Sequence, residues 1–429
     1  MRTYLTSKEL IESCKLEKQN FTRNRSLNFV TITVFITNFI KKSLQLELYN
    51  FTDFFSLPSV TKQAFSKARQ KLSPLVFVLL NHKLLTEFYT DNTIRTFKGL
   101  RLLAIDGSTL RLPNDPKLHQ EYGEHTNKSD NPLARISVMF DVLNCITLHG
   151  CIESYRASER DMAMKHIKQL CSEDNTSQPF KDLLMFDRGY TSLAILFALF
   201  YYQKNFLMRV QANFLTEIKL MIESNEKDIL VTIKAQDKTT LISNLQRYAP
   251  DASISETIQI RVLIFELSSN QKEYIVTSLI DPEQFTYDDI FILYGLRWNV
   301  EENYKFYKNI SEIENFSGKT KVAIEQDFFA TIFACNISAL LMFEAQSELE
   351  EQQKNKSLKF KYKYKINRNI LIGSLKNEII NILMSEKDLS EYCEKLKDRI
   401  KKNLIPVRPG RKFPRHFKQV RSTIDKRAL

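Results

Sequence analysis

The sequence predicts an α/β fold, with a helical region ahead of the core, a β-rich insertion within it and a basic region after it. Three observations carry this. Before about residue 95 the apolar pattern is helical, with no strand alternation. From about 96 short apolar runs alternate with helical patterns. Between about 214 and 282 the pattern is again that of strands.

Residues 1–95 read as helices. Asn24, Arg25 and Ser26 are expected to form the N-terminal turn of the apolar helix that follows. Leu57-Pro58-Ser59 breaks the chain, and Ser59 is placed to cap VTKQAFSKARQKL, whose Lys62, Lys67, Arg69 and Lys71 are basic. A break followed by a basic helix suits a helix-turn-helix reader of DNA, and suits an ordinary solvated helix equally well.

From 96 onward, strands are expected at Leu102–Leu112, Arg135–Leu143 and Thr147–Tyr155, with Asn144-Cys145 as the tight turn between the last two. A helix at Glu159–Leu170, a strand at Leu183–Asp187, a helix at Ser192–Lys204 and a strand at Phe206–Ala212 follow. This order matches an RNase H-like core, and neither a βαβ repeat nor a sandwich. Apolar or alternating runs at 228–235, 258–267 and 273–280, with Ser268-Ser269-Asn270-Gln271 as a hairpin turn, make up the insertion. After 350 the chain is markedly basic. KNKSLKFKYKYKINRN interleaves Lys354, Lys356, Lys359, Lys361, Lys363, Lys365 and Arg368 with Phe360, Tyr362 and Tyr364, which fits a phosphate-contacting strip or a solvated surface strand or loop.

Composition narrows the class. The chain has 429 residues, 43% hydrophobic and 26% charged, enough for several domains with a sizeable core. A net charge of +12 favours a polyanionic partner. Six cysteines without a C-x-x-C pair predict reduced, mostly buried thiols, and neither they nor the six histidines show zinc-site spacing. The N-terminus MRTYLTSKELIESC is not patterned as a signal peptide, and the apolar runs Phe29–Ile40, Ser192–Tyr202 and Phe328–Phe343 read as core helices rather than membrane spans. SGKT at Ser317–Thr320 is not a phosphate loop, because Ile313 stands where the first glycine belongs.

The chemistry concentrates in YGLRWNVEENYKFYK, residues 294–308. On a continuous helix Tyr294, Arg297, Glu301 and Lys308 fall on one face, beside an apolar stripe of Leu293, Leu296, Val300, Tyr304 and Tyr307. That geometry selects Glu301 over Glu302. Asp106 sits inside the apolar run LLAIDGSTLRL and Asp187 ends LLMFD. A carboxylate at the end of a buried strand needs compensation, and a metal ion is one form of it. Asp106, Asp187 and Glu301 would supply hard oxygen ligands to Mg²⁺. A strand-end Asp is as readily a helix cap, a reading that suits Asp187 better than Asp106. Asp141, Asp161 and Glu302 are set aside: Asp161 as a first-turn helix residue, Asp141 as a strand residue that could face solvent.

Asp106 in AIDGSTLRLP, Asp187 in FDRGY and the Tyr-x2-Arg-x3-Glu-x6-Lys spacing together resemble the DDE transposases of bacterial insertion sequences. FTRNRSLNFVTITVFIT, SVTKQAFSKARQKL, NFSGKTKVAIEQDFFATIFACNISALL and RPGRKFPR are similar to further segments of that family, so the resemblance spans most of the chain. It implies two Mg²⁺ ions, replaceable by Mn²⁺, held by Asp106, Asp187 and Glu301, with Asp106 bridging. It implies that Tyr294, Arg297 and Lys308 position the transposon end. Double-stranded DNA at transposon ends and target is the implied partner, with a homodimer in the synaptic complex, no membrane, and a cytoplasmic location. The implied division is 1–95, helical and DNA-binding; 96–213, first part of the catalytic core; 214–282, insertion; 283–350, second part of the core; and 351–429, basic region. Some relatives hold a flipped base with a tryptophan of the insertion, whereas the one tryptophan here, Trp298, lies beside Glu301. Two other readings stay open: a catalytically silent or domesticated transposase-derived DNA-binding protein, and a stand-alone RNase H-like nuclease.

Overall fold

A computed structural model describes residues 1–23, 25–38, 41–91, 94–124, 131–172, 180–234, 239–251, 257–267, 271–354, 362–376, 378–384 and 390–407. In chain order the elements are α1 (Arg2–Leu5), α2 (Lys8–Cys14), α3 (Phe29–Thr37), α4 (Leu44–Phe54), α5 (Lys62–Arg69), α6 (Leu75–Asp91), β1 (Leu100–Arg111), α7 (Pro116–Tyr122), β2 (Leu133–Asp141) and β3 (Ile146–Ser154). Then come α8 (Glu159–Ser172), β4 (Lys181–Phe186), a 3₁₀ turn (Arg188–Tyr190), α9 (Leu193–Tyr201), β5 (Asn205–Val210), α10 (Thr216–Ser224), β6 (Asp228–Lys234), α11 (Thr239–Tyr248), β7 (Thr257–Glu266) and β8 (Lys272–Thr277). The rest are α12 (Tyr287–Leu296), α13 (Asn299–Asn309), α14 (Lys321–Lys354), β9 (Lys363–Ile366), α15 (Arg368–Leu375), α16 (Glu378–Met384), α17 (Ser390–Lys401) and β10 (Leu404–Val407).

The chain forms two compact units. One, residues 93–110 and 134–305, is built on an eight-stranded mixed sheet of order β3-β2-β1-β4-β5-β8-β7-β6. β1, β4 and β5 run parallel, while β2/β3 and β5/β8/β7/β6 pair antiparallel. The parallel strands are near-continuous apolar runs, as strands covered on both faces must be. Leu183, Leu184, Met185 and Phe186 of β4 and Phe206, Leu207 and Met208 of β5 are all inaccessible to solvent. The insertion strands do not form a sheet of their own: β8 pairs with β5, so β6, β7 and β8 prolong the same sheet. Of the expected hairpin turn, Ser268, Ser269 and Asn270 lie outside the described residues.

The other unit, residues 1–92, 111–133 and 306–429, is helical around α14, which packs on α3, α6, α15 and α17. The 34-residue α14 is long and apolar enough to cross a membrane by length and composition, but 72% of its most apolar window is buried within the protein, as in a core helix. Two expected caps are corrected. Thr61, not Ser59, caps α5 through the Ala64 N–H, and Asn28, not the Asn24–Ser26 turn, caps α3 through the Thr31 N–H; Asn24 itself lies outside the described residues. A side chain one residue before the first helical N–H groups reaches them better than one three residues earlier.

Arg69 also departs from the expected solvated or DNA-reading face. It is 2% exposed, and its guanidinium donates to Gln326 Oε1, Ser317 Oγ, the Ala323 carbonyl and Asp327 Oδ1. It is a buried fastener between α5 and α14, while Lys62 and Lys67 remain exposed. In the basic segment, Lys363 and Lys365 of β9 are exposed and Ile366 is buried, with β9 paired to β10. Lys356, Lys359, Phe360, Lys361 and the RPGRKFPR segment lie outside the described residues.

Candidate active site

The paired register of β1 and β4 runs from Leu100 opposite Lys181 to Ala104 opposite Met185. Two residues further along each chain stand Asp106 and Asp187. Equal offsets of two bring Asp106, midway along β1 where its pairing with β4 ends, level with Asp187, just past the C-terminal end of β4. Open α/β sheets bind ligands at that end. Asp106 is still within β1. Asp187 has left β4 and caps the 3₁₀ turn, its Oδ1 accepting the Gly189 N–H at 2.8 Å. Cap and ligand are therefore not exclusive for Asp187: one oxygen holds the turn and the other is left over. A Cβ at position 189 would lie 3.1 Å from that Oδ1, which favours glycine there.

Tyr294 to Lys308 is not one helix, as expected, but two. α12 ends at Leu296, Arg297 and Trp298 form a turn, and α13 begins at Asn299. Arg297 keeps near-helical angles (φ −52°, ψ −34°), so the residues on either side stay nearly in phase. Its Nη2 donates to Glu301 Oε1 at 2.8 Å. Leu293, Val300, Tyr304 and Tyr307 are buried, while Leu296 is half-buried. The Tyr304 hydroxyl donates to the Asp106 carbonyl at 2.7 Å and ties α13 to β1, and Ser137 Oγ of β2 donates to the same carbonyl at 3.1 Å.

Burial pushes the Asp106 carboxyl up to about 7, with Arg297 pulling it down and Asp187 and Glu301 pushing it further up. The three acids and Arg297 thus share one electrostatic neighbourhood. Arg297 is 6% exposed, and its Nε and Nη1 are buried without a partner. The guanidinium also lies over the Tyr294 ring, 5.6 Å from its centroid; buried unfilled donors cost about 1–3 kcal/mol each, so an anion would be a favourable partner for them. The Tyr294 hydroxyl is half-buried close to Arg297, Arg209 and Glu273; burial raises its pKa. Lys308 belongs to the other compact unit, where burial lowers its ammonium pKa and Glu314 acts against that.

Three neighbours escaped the sequence reading. Glu159, at the start of α8, packs against Gly107 and is paired with Arg135. The Tyr190 hydroxyl is held far above its usual pKa by burial and then by Asp106, Glu159 and Asp187. Beyond Asp187, Arg188, Arg209 and Lys272 line a cavity of about 440 Å³. Arg188 and Tyr190 stood within the FDRGY run, and the others beside no motif.

The acids set aside have other employment. Glu302 pairs with Lys305, and Asp161 with Arg247 and Tyr248. Asp141 corrects an expectation: it faces no solvent, being 0% exposed, and accepts from the N–H groups of Leu143 and Asn144 and from Asn144 Nδ2. It holds the β2–β3 turn, so its burial is satisfied.

A donor set of three carboxylates, without nitrogen or sulfur, suits a hard oxygen-seeking cation such as Mg²⁺ or Mn²⁺. Such an ion would offset both the burial of the Asp106 carboxylate and its repulsion by Asp187 and Glu301. The fit is good.

A family described as Transposase DDE domain matches residues 97–337, a span holding Asp106, Asp187 and Glu301. The transposase InsG for insertion sequence element IS4 of Escherichia coli (strain K12) is 22% identical over 371 residues, covering 84% of this chain and 77% of that protein. Among solved structures, the cryo-EM structure of the piggyBac transposase synaptic complex with hairpin DNA is similar with a TM-score of 0.43 and 12% identity, covering 95% of this chain and 85% of that one.

Proposed function

The chain belongs to the transposase DDE domain family, and from that premise we propose that it binds the terminal inverted repeats of its own insertion sequence and cuts and joins DNA there. The observation that carries this reading is that register sets Asp106 and Asp187 level, while Arg297, bonded to Glu301, acts with both acids on the half-buried Asp106 carboxyl. We read β3-β2-β1-β4-β5 as an RNase H-like core and β6, β7 and β8 as the insertion. The functional division is that of the sequence: 1–95 and 351–429 contact DNA, 96–213 and 283–350 carry catalysis, and 214–282 extends the sheet.

Asp106, Asp187 and Glu301 would hold two divalent ions, Mg²⁺ or Mn²⁺. Bound ions supply a water activated at neutral pH and relieve charge at the phosphate. The protein supplies position. Arg297 keeps Glu301 oriented through Nη2 and has further guanidinium donors to offer a phosphate. Tyr304 and Ser137 fix the main chain of Asp106. Arg188, Arg209 and Lys272 draw the DNA backbone towards Asp187. Tyr294 adds to the grip on the transposon end, and Lys308, in the other unit, serves as a DNA contact there. Water frees the 3′-hydroxyl at each end, and that hydroxyl then attacks target DNA, so one phosphodiester breaks as each new one forms. A homodimer holds paired ends, and the protein works in the cytoplasm on the nucleoid.

The test uses a labelled duplex carrying the element's end, read from DNA beside the gene, with purified protein and Mg²⁺. Nicking at the end boundary is expected in the wild type and lost in Asp106→Ala, Asp187→Ala and Glu301→Ala, each still binding the duplex. Cleavage that survives Glu301→Ala would overturn the site. Binding with no wild-type cleavage would favour the silent DNA-binding reading.

A further inference from the structure

His149 and Cys151 are two residues apart on β3, so their side chains leave the same face of the strand. α8 packs on β3 and brings His166 to that face. His149 Nδ1 lies 2.7 Å from His166 Nδ1, Cys151 Sγ lies 4.0 Å from His149 Nδ1, and one ligand atom from each residue falls within 4.8 Å of the others. His166 is inaccessible to solvent and Cys151 is buried, while His149 is partly exposed. Cysteine and histidine spacing gave no sign of such a site, because its members come from a strand and a helix.

The surrounding bonds fix which ring nitrogen is available. Ser137 Oγ gives its proton to the Asp106 carbonyl, so it accepts from His166 Nε2, 3.0 Å away. This assigns the proton of His166 to Nε2 and leaves its Nδ1 with a lone pair aimed at His149 and Cys151. Histidines that bind metals are oriented in this way, with the second ring nitrogen donating to a fixed neighbour.

We propose that His149, Cys151 and His166 form a second metal site, distinct from the three carboxylates, that takes a borderline d-block cation of the Zn²⁺ type. Imidazole and thiolate donors select such an ion over Mg²⁺. Tetrahedral zinc with ordinary bond lengths separates its nitrogen and sulfur ligands by roughly 3.3–3.6 Å. From 2.7 Å the two imidazoles would part by under about 1 Å, and from 4.0–4.8 Å the sulfur would approach by roughly 0.5–1.3 Å. Binding releases the thiol proton to solvent and moves the His149 proton from Nδ1 to Nε2, so one proton leaves per ion. Water completes the shell on the partly exposed His149 side. Ser137 links the site to the main chain of Asp106. The inference does not depend on the proposed function.

The test is titration of chelator-treated full-length protein with Co²⁺, followed by absorption spectroscopy. The expected result is one ion per chain with a near-ultraviolet sulfur-to-cobalt charge-transfer band. The band should vanish in Cys151→Ser and in His149→Gln, persist in Asp106→Ala, and be displaced by Zn²⁺. Zn²⁺ should raise the melting temperature of the wild type and not of Cys151→Ser. Circular dichroism confirms that each variant is folded, and Cys151→Ala replaces Cys151→Ser if the latter is not. No charge-transfer band in folded wild type would overturn the proposal and leave the cluster as a hydrogen-bond relay. A band that survives Cys151→Ser would also overturn it, since the sulfur would then belong to one of the other five cysteines.

Discussion

Asp106, within β1, and Asp187, just past the end of the neighbouring parallel β4, lie level with each other: Ala104 is opposite Met185, and each acid follows that last paired residue by two. Register thus brings the two main chains level, and Asp187 acts electrostatically on the Asp106 carboxyl. Burial raises the Asp106 pKa, and the charges of Asp187 and Glu301 add to that against the pull of Arg297.

The first prediction concerns pH. An unfolded Asp titrates near 3.9, and Asp106 in the folded protein near 7. Between those values the native state holds a proton that the unfolded chain lacks, so this group's contribution lowers stability as pH rises from about 4 to about 7. Asp106→Asn, measured without divalent metal, should be more stable than wild type at pH 8 by on the order of 1–3 kcal/mol, with the gain shrinking towards pH 5. Calorimetry at the two pH values decides it; a pH-independent difference would contradict the assignment.

Arg297→Ala should lower end cleavage by roughly 10²-fold while leaving metal-free folding nearly unchanged. Arg297→Lys should not restore activity, because an ammonium cannot serve Glu301 and a phosphate with the same planar fork. Single-turnover cleavage assays separate the two variants. Full activity in Arg297→Lys would show that only charge matters.

Tyr304→Phe removes the hydroxyl from the Asp106 carbonyl but leaves that carbonyl its bond from Ser137. The expected cost in urea denaturation is about 1 kcal/mol. Cleavage should fall with duplex binding unchanged, since the tie orients the strand without touching DNA. An unaltered cleavage rate would show that α13 does not need this tie.

Arg69→Ala leaves Asp327 without its cation in a largely buried place. The expected destabilisation is about 3–5 kcal/mol, read as a shift in denaturation midpoint, and Arg69→Lys should recover little of it. If Arg69 instead contacts DNA, the substitution would weaken duplex binding and leave the midpoint in place.

What could be read from the sequence was what local pattern controls. The apolar runs placed β1 to β8 to within a few residues, and the change from helical to strand pattern near 96 was visible. The break at Arg297-Trp298 was not, because Arg297 keeps near-helical angles and the periodicity runs on across the turn. Nor was the pairing of β8 with β5, since a strand's pattern says that it is buried and not by what. Asp141 shows the same limit: the N–H groups that make its burial tolerable come from a turn of particular shape. Glu159, Tyr190 and the His149–Cys151–His166 cluster depend on α8, β3 and the turn after β4 coming together in space. Their spacing along the chain carries no such signal.

The distances along the chain have a consequence during synthesis. From Asp106 to Glu301 there are 301 − 106 = 195 residues, and Tyr304, which ties α13 to β1, comes later still. A ribosome therefore displays β1 and β4, with both aspartates, well before the third acid exists. Under the proposed function the three-acid centre is complete only late in translation, so a prematurely terminated product lacking α13 is expected not to cleave an end duplex.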